Sequence, residues 1–137
     1  MAKPAGILFF VHGANETSEG LVENVARAYW RHFSVPMTIS EIATSGSIAR
    51  RAAWLARSVD AVRTVRAEGI PLAGYTWWPM FALVTWAWRQ GWRDVASHLL
   101  QMGLWDLDTE LNRIHTPLVD AYRALAGSSS DSAGPLA

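Results

Sequence analysis

The sequence predicts an α/β fold with about three parallel strands and flanking helices. Three observations carry this expectation. Short apolar runs at residues 6–11, Met37–Ile42 and Leu72–Trp77 read as strands that are apolar on both faces. Stretches of helical periodicity separate them, giving the order β-α-β-α-β. Buried strands joined by helical crossovers belong to parallel sheets, and right-handed crossovers put each helix on the same side if the sheet rolls toward a barrel.

Each element has its own signals. Residues 6–11 are bounded by Pro4-Ala5-Gly6 and His12-Gly13. Thr17 and Ser18 offer helix N-caps, Glu19 supplies an acidic first turn, and Leu21, Val25, Ala28, Tyr29 and Phe33 recur at helical spacing. Pro36 stops that helix before the second strand, Met37–Ile42. Ser45-Gly46-Ser47 then precedes a long helix. Ile48, Ala52, Leu55, Val59 and Val62 mark its buried face, with Arg51, Arg57, Arg63 and Arg66 on the solvated side. Gly69 ends it, and Ile70-Pro71 opens the third strand, Leu72–Trp77. Beyond Pro79 the chain reads as irregular or short-helical through Leu100, and residues 102–107 fit either a short strand or a loop. Thr116-Pro117 starts a last helix over residues 118–125, with proline at its first helical position. Residues 1–126 are expected to form one domain, and the Ser/Gly/Pro-rich residues 127–137 a disordered tail.

Composition narrows the function classes. Half of the 137 residues are hydrophobic, enough for a core. Net charge is zero and the cations are dispersed, which argues against a nucleic-acid partner. Cysteine is absent, so disulfides, thiolate metal sites and cysteine nucleophiles are excluded. Residues 7–11 are too short for a signal segment, and the apolar stretch 77–88 is broken by Pro79 and followed by Arg89. A soluble, cytoplasmic protein with no membrane partner is expected. Eight tryptophans are the unusual feature, and several fall at a strand end, which suggests a ligand surface as well as a core.

Three strand ends in order resemble one family, the retaining β-glycosidases of the TIM-barrel glycoside hydrolase clan. Met37-Thr38-Ile39-Ser40-Glu41-Ile42-Ala43-Thr44-Ser45-Gly46 resembles their seventh strand, where a Thr-Glu-Thr/Asn style sequence presents the nucleophilic glutamate. Gly74-Tyr75-Thr76-Trp77-Trp78-Pro79 resembles the eighth, whose tryptophan lines the sugar subsite. Gly6-Ile7-Leu8-Phe9-Phe10-Val11-His12 resembles a degraded sixth strand, where relatives more often read Gly-Val-Asn-Tyr-Tyr-Pro-His. Residues 102–107 and Thr116-Pro117-Leu118 match the closing segment. The resemblance covers the chain up to Leu125 and implies a partial (β/α) barrel, the closing strands of a TIM barrel, with Glu41 at the nucleophile position. Two departures stand against simple hydrolysis. The clan's acid/base glutamate ends the fourth strand, which has no counterpart here. The expected sixth-strand tyrosine is Phe9 or Phe10, and Leu8 replaces asparagine.

The candidate catalytic residues are Glu41 and His12, and the candidate substrate-binding residues are Trp77, Trp78, Phe10 and Tyr75. Glu41 ends an apolar strand, where a carboxylate is costly unless it meets a solvated mouth or a partner. Its alternative is to cap the helix near Ser47 or to pair with Arg50 or Arg51. His12 either shares a proton with Glu41 or caps a turn before Gly13. Successive side chains alternate, so one of Trp77 and Trp78 can face the mouth while the other packs under a helix, and both can be core. Tyr75 either donates to a ligand or belongs to the core. Trp86, Trp88 and Trp92 read as packing or as an interface stripe.

No metal is expected. His32, His98 and His115 lack ligand spacing, and Asp106, Asp108 and Glu110 lack the glycine and closing glutamate of a calcium loop. Gly13, Gly46 and Gly74 form no cofactor fingerprint.

Three functions fit these residues. One is a repurposed enzyme in which Glu41 performs acid–base chemistry (cyclisation, dehydration or isomerisation) on a small carbonyl compound. Another is a β-glycosidase fragment needing a separate chain for its acid/base glutamate. The third is a non-catalytic ligand-binding remnant. Unpaired sheet edges imply a partner, either a second copy in a homodimer or a complementary chain, with residues 86–105 as the interface.

Overall fold

The computed structural model describes the strand Ile7–Phe10 and residues 20–130. Strands β1 (Ile7–Phe10), β2 (Met37–Ile42) and β3 (Leu72–Trp77) form a parallel sheet in the order β1-β2-β3. Helix α1 (Leu21–Phe33) connects the first pair and α2 (Ile48–Ala67) the second. Two antiparallel ladders follow, β4 (Leu83–Val84) with β5 (Leu99–Leu100) and β6 (Asp106–Leu107) with β7 (Arg113–Ile114). The 3-10 turns Trp86–Gln90 and Val95–His98 lie inside the first ladder's loop, and helix α3 (Pro117–Ser130) ends the described chain. The second and third strands have the expected bounds, and the described residues contain no closed barrel.

The core lies between one sheet face and the helices. Met37, Ile39 and Ile42 on β2 and Leu72 and Trp77 on β3 are buried against Val22 and Ala26 of α1 and Trp54, Leu55, Ala61, Val62 and Val65 of α2. Strand β2 is therefore not apolar on both faces. On β2 the residues between the buried ones, Thr38, Ser40 and Glu41, are polar and half-buried, so β2 reads as a one-sided strand in a parallel setting. Gly74 stands opposite Thr38 in the ladder, and a Cβ there would come within 2.6 Å of the Thr38 methyl.

Both connecting helices are turned relative to the expected faces. On α1, Val22 and Ala26 are buried, whereas Ala28, Tyr29 and Phe33 are exposed. The Phe33 ring instead packs edge-on to His32 and tilted against Tyr29 along the outer surface. The smaller side chains face inward because they let the helix approach closely. Gly20 is the N-cap, in a left-handed conformation with no side-chain bond. The expected caps Thr17 and Ser18, with Glu19, lie outside the described residues.

On α2 the buried stripe is Arg51, Trp54, Leu55, Ser58, Ala61, Val62 and Val65, while Ile48 and Ala52 are exposed. The stripe keeps helical spacing but passes through two polar residues, each of which has partners inside. Ser58 bonds to Leu55 O and the Tyr75 hydroxyl, and Arg51 is described below. Helix α3 runs past Leu125 through Gly127 to Ser130, into the stretch expected to be a tail. Serine is only a mild helix penalty once Ala124, Leu125 and Ala126 have propagated the turn. Residues 131–137 lie outside the description.

Arg27 on α1 donates to both carboxylate oxygens of Glu68, at 2.9 and 2.6 Å, tying α1 to the end of α2. This hydrogen bond holds the Glu68 carboxyl below its ordinary value. The contact thus stabilises the fold above the range where a free glutamate ionises, and its contribution is lost as pH falls through the lowered value. Arg27→Gln should lower the melting temperature slightly at about pH 7, and the difference should vanish at about pH 2, by circular dichroism. A second prediction concerns Gly103, where a Cβ would collide with the backbone of Met80 and Phe81. Gly103→Ala should cost about 1–3 kcal/mol in urea titrations, more than Gly74→Ala, because backbone yields less readily than the Thr38 side chain.

Candidate functional site

Chemistry in a parallel sheet of this kind gathers at the C-terminal ends of the strands. Here Phe10 pairs with Glu41, Ile42 pairs with Trp77, and the Trp78 N–H continues the ladder by donating to Ile42 O at 3.2 Å. The ladder shifts register between Phe9 and Phe10 and again between Ile39 and Ile42. The second shift lets Ile39 and Ile42 both enter the core although they are three residues apart, and it leaves Ser40 and Glu41 half-buried outside it. Glu41 is thus set between the backbones of Phe10 and of Trp77-Trp78. It is the carboxylate borne by the ends of these strands among the described residues.

The candidate ligand residues separate into two layers. Trp78 is 42% exposed and stands past the strand end, followed by a cis peptide to Pro79. Trp77 is 4% exposed, and its indole N–H donates to Met102 O at 3.1 Å, so it is a core residue. Tyr75 is also in the helix layer. Its hydroxyl lies 2.8 Å from Ser58 Oγ on α2, and its carbonyl accepts from the Tyr122 hydroxyl of α3 at 3.2 Å. Burial pushes the Tyr75 hydroxyl well above its ordinary value, against the opposing effect of the Ser58 bond, so it stays protonated. Strand alternation explains the split, since Tyr75 and Trp77 share the face that packs on the helices. The Phe10 backbone sits at the mouth beside Glu41, its side chain being outside the description, and His12 lies outside the described residues.

The α2 cap and the Arg51 carboxylate partner, two roles considered for Glu41, are filled by other groups. Ser47 caps α2 itself, accepting from the Arg50 N–H at 3.2 Å. Arg51 is 1% exposed rather than solvated, and its carboxylate partner is Asp106 instead of Glu41. Nη1 and Nη2 meet the two Asp106 oxygens at 2.7 and 3.1 Å, Nε donates to Gly46 O at 3.0 Å, and Nη1 also donates to Gly103 O at 2.7 Å. The sequence reading missed this network. Its one signal was that Arg51 continues the spacing of Trp54, Leu55 and Ser58.

Farther along, Trp86, Trp88 and Trp92 are exposed, Trp92 to 91%. The Arg89 guanidinium lies 4.5 Å from the Trp86 ring and that of Arg93 5.8 Å from Trp92. Among the described residues no group of three or more His, Asp or Glu converges to hold a metal ion. No described helix is long and apolar enough to cross a membrane.

No protein-family model and no curated protein sequence matches the chain. Solved structures do. The β-glycosidase from the hyperthermophile Thermosphaera aggregans superposes with a TM-score of 0.64 at 26% identity, over 77% of this chain and 21% of that one. A hyperthermophilic β-glucosidase gives 0.59 at 27% identity, over 72% and 21%. The family 1 β-glucosidase from Thermotoga maritima gives 0.69 over 88% and 28%, and at 15% identity it speaks to the fold alone. The chain spans between a fifth and a third of the length of these structures. The polypeptide is therefore similar to one part of a TIM-barrel β-glycosidase, the glycoside hydrolases that its strand-end motifs resemble.

Proposed function

We propose that this chain supplies the nucleophile side of a glycoside-cleaving site, with the Glu41 carboxylate attacking and the Trp78 ring offering a stacking surface for the sugar. The observation that carries this reading is Glu41 itself, a carboxylate at the end of β2 next to Trp78 in a segment similar to β-glycosidases. Retaining hydrolysis needs two carboxyl groups about 5 Å apart, one to attack the anomeric carbon and one to protonate the leaving oxygen. The strand ends described here contribute one. The acid/base carboxylate then comes from outside these strands, from a complementary chain seated against the open sheet. A second copy of this chain is the other available partner, and the exposed Trp86, Trp88 and Trp92 rings suit such an interface.

A second reading is favoured by Leu8, Phe9 and Phe10 in the first strand, which are apolar where the resembled sixth strand carries asparagine and tyrosine. In this reading Glu41 alone acts as a base on a small carbonyl compound, taking a proton from the carbon beside the carbonyl and returning it elsewhere, as in an isomerisation. Neither reading calls for a metal or cofactor.

Calorimetric titration with glucoimidazole, a compound bound by one of the similar β-glucosidases, separates the possibilities. Glu41→Gln should weaken binding by about 100-fold, because a charge-assisted contact is lost, and Trp78→Ala by about tenfold. Hydrolysis of an aryl glucoside should need an added chain bearing the missing carboxylate and should stop in Glu41→Gln. Binding that is indifferent to Glu41→Gln would leave only a ligand-binding remnant. Turnover of a carbonyl substrate by the chain alone, lost in Glu41→Gln, would move the second reading to the front.

A further inference from the structure

We infer that Arg51 and Asp106 form a clamp that positions Glu41 and Trp78 relative to each other, an assignment that rests on the site reading above. The residues between the two small ladders, 101–105, together with Asp106 at the start of β6, form a strap across the strand ends. Gly46 N donates to Gln101 O at 2.9 Å, tying the strap to the loop that follows Glu41. Trp105 N donates to Met80 O at 3.0 Å, tying it to the turn that follows Trp78. Met102 O accepts from Trp77, fixing the strap to β3 itself. The two sides of the site therefore reach each other through one segment as well as through the sheet.

Arg51 locks that segment in place. The guanidinium reaches back to Gly46 O on the Glu41 side and forward to Gly103 O and Asp106 on the strap, so one planar group spans both. Burial makes the lock strict. A guanidinium removed from water must keep its partners, and withdrawing Asp106 leaves an uncompensated interior charge. Gly103 fixes the height of the strap, because its missing side chain admits the backbone of Met80 and Phe81. Further support comes from Gln101, whose amide nitrogen donates to Leu107 O and whose amide oxygen accepts from Leu107 N. Only a planar fork fits this geometry, so lysine at position 51 would keep the charge and lose the span.

Two readouts test the clamp in the whole chain. The first is amide hydrogen exchange, which needs no ligand. Asp106→Asn should raise exchange at least tenfold in residues 43–47 and 101–106 together, while α1 is unchanged. Arg51→Lys should show the same pair of changes and serves as the second variant if Asp106→Asn does not fold. The second is glucoimidazole affinity, which should fall about tenfold in each variant and recover in Asp106→Glu. Exchange that rises in residues 101–106 alone would overturn the clamp. So would joint loosening in a protein whose glucoimidazole affinity is unchanged. If the unaltered chain binds no glucoimidazole, the site reading fails, and the exchange pattern still decides whether the two segments are held as one.

Discussion

The side chains of Met37, Ile39 and Ile42 leave water almost completely on one face of the central strand, and the rest of the molecule is arranged around that burial. Each contributes on the order of 1.5–3 kcal/mol relative to exposure, and the helices α1 and α2 exist in their places to receive them. Because β2 has a neighbour on each side, its backbone groups are paired along both edges, and both outer strands take their register from it. The same constraint sets the site. A strand with one buried face presents the other to the outside, and on β2 that other face carries Thr38, Ser40 and Glu41.

Polar residues inside the helix layer play a different part. Ser58 and Tyr75 join α2 to β3, Tyr122 joins α3 to the same strand, and Thr116 ties the start of α3 to Leu104. Arg51 is the costliest of these, since a guanidinium gives up strong hydration on burial. Its four guanidinium bonds go to Gly46, Gly103 and Asp106, in the segments beyond the strand ends, so that cost is met where the candidate site lies. The arrangement suits a site whose two halves, Glu41 and Trp78, come from different strands and need a common reference.

Much of the strand framework is legible in the sequence. Pro36, Ser45-Gly46-Ser47, Gly69 and Pro71 bracket the second and third strands tightly, because turn and cap residues act locally. Helix phase was less legible. Leu21, Val25, Tyr29 and Phe33 made a plausible apolar stripe on α1, yet Val22 and Ala26 occupy the core, because closeness of approach outweighs side-chain size there. On α2 the assumption that arginine faces water hid the true stripe at its first member. Of the candidate site, Glu41 and Trp78 sit at the strand ends, whereas Trp77 and Tyr75 pack among the helices. Alternation predicted that the paired tryptophans would part, without saying which would face out. Trp77 is the one that faces in, its indole N–H donating to Met102 O 25 positions away, a contact that no local sequence signal marks.

The sequence by itself determined the order of the three main strands and the helices, the parallel character of their sheet, the likeness to β-glycosidase strand ends and the placing of a carboxylate at one of them. Those features depend on neighbours within a few residues, through periodicity, turn chemistry and capping. Tertiary structure alone decided which helix faces are buried, that Arg51 pairs with Asp106 across 55 positions, and that one strap touches both sides of the site. These are choices among partners distant in the chain. They are settled by which combination satisfies every buried charge and hydrogen-bonding group at once, a condition that no short window of sequence contains.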